Sequence, residues 1–235
     1  MSWLTGFLKS TVGRKFVMAL TGLFLCFFLV VHLSGNLLLY VGGEAYDKYA
    51  HALHSNEEFL ILAETLLFAA FALHIVLAFA TTWENKSSRK TGYRKNESKR
   101  DDRALPLLLA PDYTMMVTGL VGMLFLVVHI SDFKLEIGWG LEGMTPAQKA
   151  GLIVSDGTRL IIYMAGAIAL GIHVSHGLAS ACQTIGFNHP KYTSGVEVIS
   201  RIFGVVVALG FSSFPVMAQM YPEWFQFVGT VTTGH

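Results

Sequence analysis

Apolar residues run almost unbroken through five stretches, 16–40, 59–83, 113–133, 158–182 and 196–221, and charge collects between them. Each reaches the roughly 20 helical residues that cross about 30 Å of hydrocarbon. The pattern predicts an all-α membrane protein, five transmembrane helices forming one bundle. Lys9, Arg14 and Lys15 precede the first run as they would a signal peptide, but the run is too long and no small-residue cleavage site follows before Gly42. It is read as a span. Nothing resembles a separate soluble domain, so residues 1–235 form a single membrane domain with 84–112 as a basic loop.

Helix punctuation fits these boundaries. Pro111 and Asp112 open the third span with an acidic N-cap, and Thr145, Pro146 and Gln148 read as N-cap, N1 and N3 of a short outer helix. Glu44 to His54 mixes charged and aromatic residues at helical spacing, which suits a helix lying at the outer interface. Pro215 predicts a local kink in a fifth span that carries no histidine.

Composition agrees with the pattern: 53% of the 235 residues are hydrophobic, 14% are charged, and the mean hydropathy is +0.51. The net charge of +1 carries little information, because in a membrane protein the distribution of charge sets the topology. The loop between spans two and three holds eight Lys and Arg residues, from Lys86 to Arg103, whereas the outer loops hold few and the tail after Tyr221 none. The N-terminus is therefore expected in the cytoplasm and the C-terminus outside. The basic loop is a topology signal and linker, with docking of a cytoplasmic partner as the second reading. Cys26 and Cys182 are read as buried thiols with no disulfide to make.

The chemistry lies in histidines. The phrase LVVHLS, Leu29 to Ser34, returns as LVVHIS, Leu126 to Ser131. A histidine inside a membrane span is a functional hypothesis whose partner must be named. His32 stands 17 residues beyond Lys15 and His129 17 beyond Asp112, so both sit roughly 25 Å up from the cytoplasmic edge. His74 stands ten residues before Glu84 and His173 ten before Gln183, roughly 15 Å up. Four histidines on four helices, in two depth-matched pairs, are what two six-coordinate haems stacked across a membrane require. A lone intramembrane histidine is as readily a packed residue bonded to a neighbouring helix; two matched pairs are not explained that way. Small residues Ser34, Gly35, Gly119, Gly122, Gly166 and Gly171 would admit a flat macrocycle or a close helix.

GRKFVMALTG before span one, LVVHLSGN, the loop GGEAYDKYAHAL, ALHIVLAF, LVVHIS and GIHVSHGLASACQTIG together resemble the cytochrome b membrane subunit of succinate dehydrogenase (succinate:quinone oxidoreductase, complex II). The class is the five-helix, single-subunit, two-haem one, related to quinol:fumarate reductases, and the resemblance covers nearly the whole chain. It implies two haems b, with His32 and His129 as ligands of the distal one and His74 and His173 of the proximal one. It implies a flavoprotein subunit with FAD and an iron-sulfur subunit with its clusters, both on the cytoplasmic face. Neither is encoded here, for the chain has no cysteine cluster and no Gly-rich dinucleotide fingerprint. It further implies electron transport for the tricarboxylic acid cycle to a membrane quinone, often menaquinone, in the inner membrane of a prokaryote. Lipid is a partner, nucleic acid is not, and a higher oligomer of the heterotrimer stays open.

Further site candidates surround this core. His176, three residues after His173, is a rival ligand; depth and the family pattern favour His173, leaving His176 to a haem propionate or solvent. Propionates want cations and hydroxyls near the membrane edge, for which Ser10, Thr11, Arg14 and Lys15 are candidates, with Arg201 a further one. Each serves equally as a snorkelling or topology residue. Glu64 and Asp47 are candidates for proton transfer to and from quinone at the outer side, each with the alternative of simple helix-dipole compatibility. His51 and His54 read as interface residues, and His189 and His235 as loop and tail.

No carboxylate lies in the middle third of any span, and Gly171 stands two before His173, where some di-haem fumarate reductases carry glutamate. No transmembrane proton path through acids is visible. Another haem-b carrier, such as the cytochrome subunit of a formate dehydrogenase or hydrogenase, is opposed by the outer-loop phrase and the order of one ligand per helix. The cytochrome b of quinol:cytochrome c reductases stacks its ligands on two helices. A transporter or haem-free anchor would leave the four histidines unexplained.

Overall fold

The structure, a computed structural model, describes residues 3–87 and 111–227. Most of the basic loop lies outside them, as do the Lys86 side chain and the side chains at 111–113, so the Asp112 cap falls outside the described residues. Most of the described residues are helical, with no strand among them. Five helices are long and apolar enough to cross a membrane.

A short α1 (Trp3–Lys9), not anticipated from the sequence, precedes α2 (Thr11–Asn36). Ser10 caps α2 by accepting from the Gly13 amide at 3.0 Å. The first span, expected at 16–40, is found as one apolar stretch over Thr11–Val41. It divides at Leu37 into α2 and α3 (Leu38–Val41), where the Asn36 amide donates to the His32 carbonyl at 2.7 Å. Gly42, at φ 137°, turns the chain into α4 (Gly43–His54), the interfacial helix.

The long helices α5 (Glu57–Ser87) and α9 (Pro190–Met220) start or end beyond their apolar runs, since helical hydrogen bonding continues into polar sequence. Between them lie α6 (Pro111–Phe133), α7 (Pro146–Val154) and α8 (Gly157–Thr184). Helix α7 opens on a full capping box between Thr145 and Gln148. Its Ala147 amide donates to Asp47 Oδ1 at 2.7 Å, which fastens α4 to α7. Helix α9 runs through Pro215 without interruption and ends in a 3-10 turn, Pro222–Trp224.

Helices α8 and α9 form the most extensive pairing, and small residues let them close. A Cβ on Gly171 would lie 2.5 Å from the Gly204 carbonyl oxygen. Position 171 is thus a helix-crossing site, and a glutamate there would collide with α9. Core clusters fill the end of the bundle near α4 and α7, around Leu33, Ala147, Ala150, Val154, Phe214 and Ala218. The outward faces of α2, α5 and α9 carry exposed large apolar side chains, such as Phe27, Ile61 and Leu209, as a lipid-facing surface does.

Candidate cofactor-binding cavity

Helix α5 packs on α2, α2 on α8 and α8 on α6, and among the described residues no comparable packing joins α6 back to α5. Four helices in this order enclose a square with one loose edge, and its diagonals run from α2 to α6 and from α5 to α8. The interior is a cavity of about 2390 Å³ lined by His32, His74, His129 and His173. Pockets for single small ligands occupy roughly 300–1,000 Å³, so this one has room for two large groups.

Both histidine pairs lie on the diagonals. The rings of His74 (α5) and His173 (α8) are 6.5 Å apart at an interplanar angle of 79°. Those of His32 (α2) and His129 (α6) are 5.7 Å apart at 82°. Two imidazoles bound to one metal ion from opposite sides, with nitrogen–metal distances of about 2.0 Å, hold their ring centres roughly 6 Å apart.

The two pairs differ in what surrounds them. Nδ1 of His74 lies 3.2 Å from Thr21 Oγ1, and Nδ1 of His173 lies 3.3 Å from Thr118 Oγ1. The second pair sits in an aromatic box: Phe28 stacks on His32 at 5.2 Å, while Phe125, Phe133 and Tyr163 surround His129 at 5.7, 5.1 and 6.0 Å. His129 Nδ1 is buried without a hydrogen-bond partner among the described residues.

Beside this box lies an ion pair that sequence reading passed over. Asp132, fully buried, accepts from Arg159 Nε at 2.7 Å and Nη2 at 2.8 Å, from Trp139 Nε1 at 3.0 Å and from the Tyr163 hydroxyl at 3.0 Å. Its position three residues after His129 was the signal available. Four donors saturate the carboxylate, and the Arg159 guanidinium also lies over the Trp139 ring.

The remaining sequence candidates divide. Lys15, Arg201 and His176 line the cavity, at the end of the bundle nearest the N-terminus. Ser10, Thr11 and Arg14 do not: Ser10 caps α2, and Arg14 pairs with Glu84 on α5 at 2.5 Å. Glu64 lines the opposite end and bonds Lys134 Nζ at 2.5 Å, bridging α5 to the end of α6 across the loose edge. Asp47 points away into the α7 cap. His51 and His54 are exposed on α4, and His54 Nδ1 lies 2.7 Å from the Ala50 carbonyl. Of the small residues, Gly119 and Gly122 line the cavity; Gly35 packs against Tyr49 and Gly166 against Phe125. Cys26 and Cys182 are free thiols.

Thr21 and Thr118 were also missed. They stand 97 residues apart, as do His32 and His129, so the repeat read as six residues extends back through Thr-Gly in both helices. Extending that alignment toward the N-terminus would have found them.

Comparison of the chain with protein-family models, curated proteins and solved structures finds no match. The functional reading therefore rests on the residues themselves. The donor set fits haem: opposed imidazoles at separations suited to one metal ion per pair, on one cavity with basic side chains at one mouth.

Proposed function

We propose that this chain is the membrane-anchor cytochrome b subunit of a succinate:quinone oxidoreductase. It passes electrons between an iron-sulfur subunit on its cytoplasmic face and a membrane quinone, menaquinone by family resemblance. The observation that carries the reading is the pair of diagonal histidine couples, His74/His173 and His32/His129, at two levels of one cavity. His74 and His173 would hold the haem b nearer the cytoplasm, and His32 and His129 the outer one. Bound there, the two haems supply one-electron steps that carry charge between a water-soluble donor and a lipid-soluble acceptor.

The chain's own part is to bind, orient and exclude water. The aromatic box keeps the outer pair dry and the Asp132–Arg159 pair fixes the ends of α6 and α8. Lys15, Arg201 and His176 stand where propionates of the inner group would reach the cavity mouth. Glu64 remains the quinone-side candidate, on the cavity at the outer end. A flavoprotein bearing FAD and an iron-sulfur protein bearing the clusters complete the assembly. Quinol:fumarate reduction is the same architecture run in reverse.

The test is purification from membranes with gentle detergent. Two haems b per chain, with two steps in a potentiometric titration, are expected. One haem per chain, or none, overturns the reading.

A further inference from the structure

Thr21 and Thr118 occupy equivalent places in the two halves of the chain, each with its hydroxyl against the Nδ1 of an inner histidine. We propose that these two threonines are positioning residues that hold His74 and His173 as Nδ1–H tautomers, each with a bare Nε2 available to a metal centre in the cavity. The proposal rests on the haem reading above and deepens it.

The argument is one of proton accounting. Thr118 Oγ1 lies 2.6 Å from the Thr114 carbonyl oxygen, and that oxygen can only accept. The single hydroxyl proton is therefore spent on the backbone, and what Oγ1 turns toward His173 at 3.3 Å is a lone pair. Nδ1 must be the donor, and the Met115 carbonyl faces the His173 ring as a second acceptor, as the Met18 carbonyl faces that of His74. Thr21 repeats the arrangement, 3.0 Å from both the Val17 and Met18 carbonyls and 3.2 Å from His74 Nδ1. In a neutral imidazole with Nδ1 protonated, Nε2 carries the free lone pair.

The neighbouring glycines seat the rings. A Cβ on Gly22 would come within 3.2 Å of His74 Cε1, and one on Gly119 within 3.2 Å of His173 Cε1. Hydroxyl back-bonding to a carbonyl is common in apolar helices, and Thr65 and Thr81 do it here without a histidine. It accounts for the threonine-to-carbonyl bonds, but not for a ring nitrogen within reach of the same oxygen in both halves. His129 lacks the device, since its Nδ1 has no partner among the described residues. An Nδ1–H donated to an acceptor makes the imidazole a more basic ligand, so His74 and His173 are more strongly donating than His129.

The test uses the full chain in its purified complex, with Thr21→Val, Thr118→Val and the corresponding Ser variants. Each Val variant is expected to shift the midpoint potential of one titration step upward and leave the other step in place, or to weaken inner haem retention about 10- to 100-fold. Ser is expected to restore native behaviour. Unchanged potentials and haem content in both Val variants, or Ser variants that behave like Val, overturn the proposal. Histidine ¹⁵N shifts of the cofactor-free chain give a readout independent of haem: Nδ1 protonated on His74 and His173 in the native chain and lost in part in the Val variants supports the proposal, while protonated Nε2 in the native chain, or Nδ1 protonation unchanged by Val, overturns it. Failure of the native protein to bind haem would instead overturn the functional reading.

Discussion

Arg159 meets Asp132 in a two-pronged ion pair, Nε to Oδ2 at 2.7 Å and Nη2 to Oδ1 at 2.8 Å, joining the last turn of α6 to the first turn of α8. The carboxylate is wholly buried, while a quarter of the Arg159 side chain reaches the surface. Removing one partner of a buried pair strands the other. Arg159→Ala is expected to destabilise the protein by about 3 kcal/mol, and Asp132→Asn by less, because asparagine still accepts from Trp139 and the arginine can turn toward water. Thermal unfolding in one detergent checks both; equal effects would argue against stranded charge as the cause.

His129 and its box predict modular loss. His129→Ala should remove one haem and one titration step while the His74/His173 component stays spectrally present, because the inner pair keeps its own helices and threonines. Loss of both components together would show that the two sites fold as one.

Asp47 is assigned to structure by its bond to the Ala147 amide, which with Thr145 fills the free donors at the start of α7. Asp47→Ala should lower stability by about 1 kcal/mol and leave quinone turnover per haem intact. A collapse of turnover at unchanged stability would return Asp47 to the proton-transfer role.

Glu64 makes the opposite prediction. Its pair with Lys134 is partly exposed and contributes at most about 1 kcal/mol. Glu64→Gln should leave the melting temperature nearly in place while quinone-linked turnover falls sharply, measured beside haem reduction by a soluble donor. Unaltered turnover removes Glu64 from the quinone chemistry.

Tyr46, on α4 and outside the spans, is raised above the ordinary tyrosine range by burial first, and then by Tyr49 and Asp47. The neutral phenol is the form that the fold favours. Its contribution is complete below the unfolded value of about 10 and is lost as pH rises through the higher folded value. Amide exchange in α4 should therefore quicken at alkaline pH in the native chain, and Tyr46→Phe should remove the phenol's share of that dependence.

Run length by itself determined the number of spans, since crossing hydrocarbon demands some 20 apolar residues whatever they pack against. Counting along a helix put His32 level with His129 and His74 level with His173, because rise per residue is constant. Cap chemistry is equally local, and Thr145 and Gln148 announced α7. What counting along single helices leaves out is direction around each helix and proximity between helices. Only the tertiary structure decided that the pairs face each other across diagonals, that Asp132 finds Arg159 27 residues away, and that Gly171 is taken by α9. It also separated Lys15 at the cavity mouth from Arg14, one residue earlier, which turns aside to Glu84, since successive residues on a helix point about 100° apart.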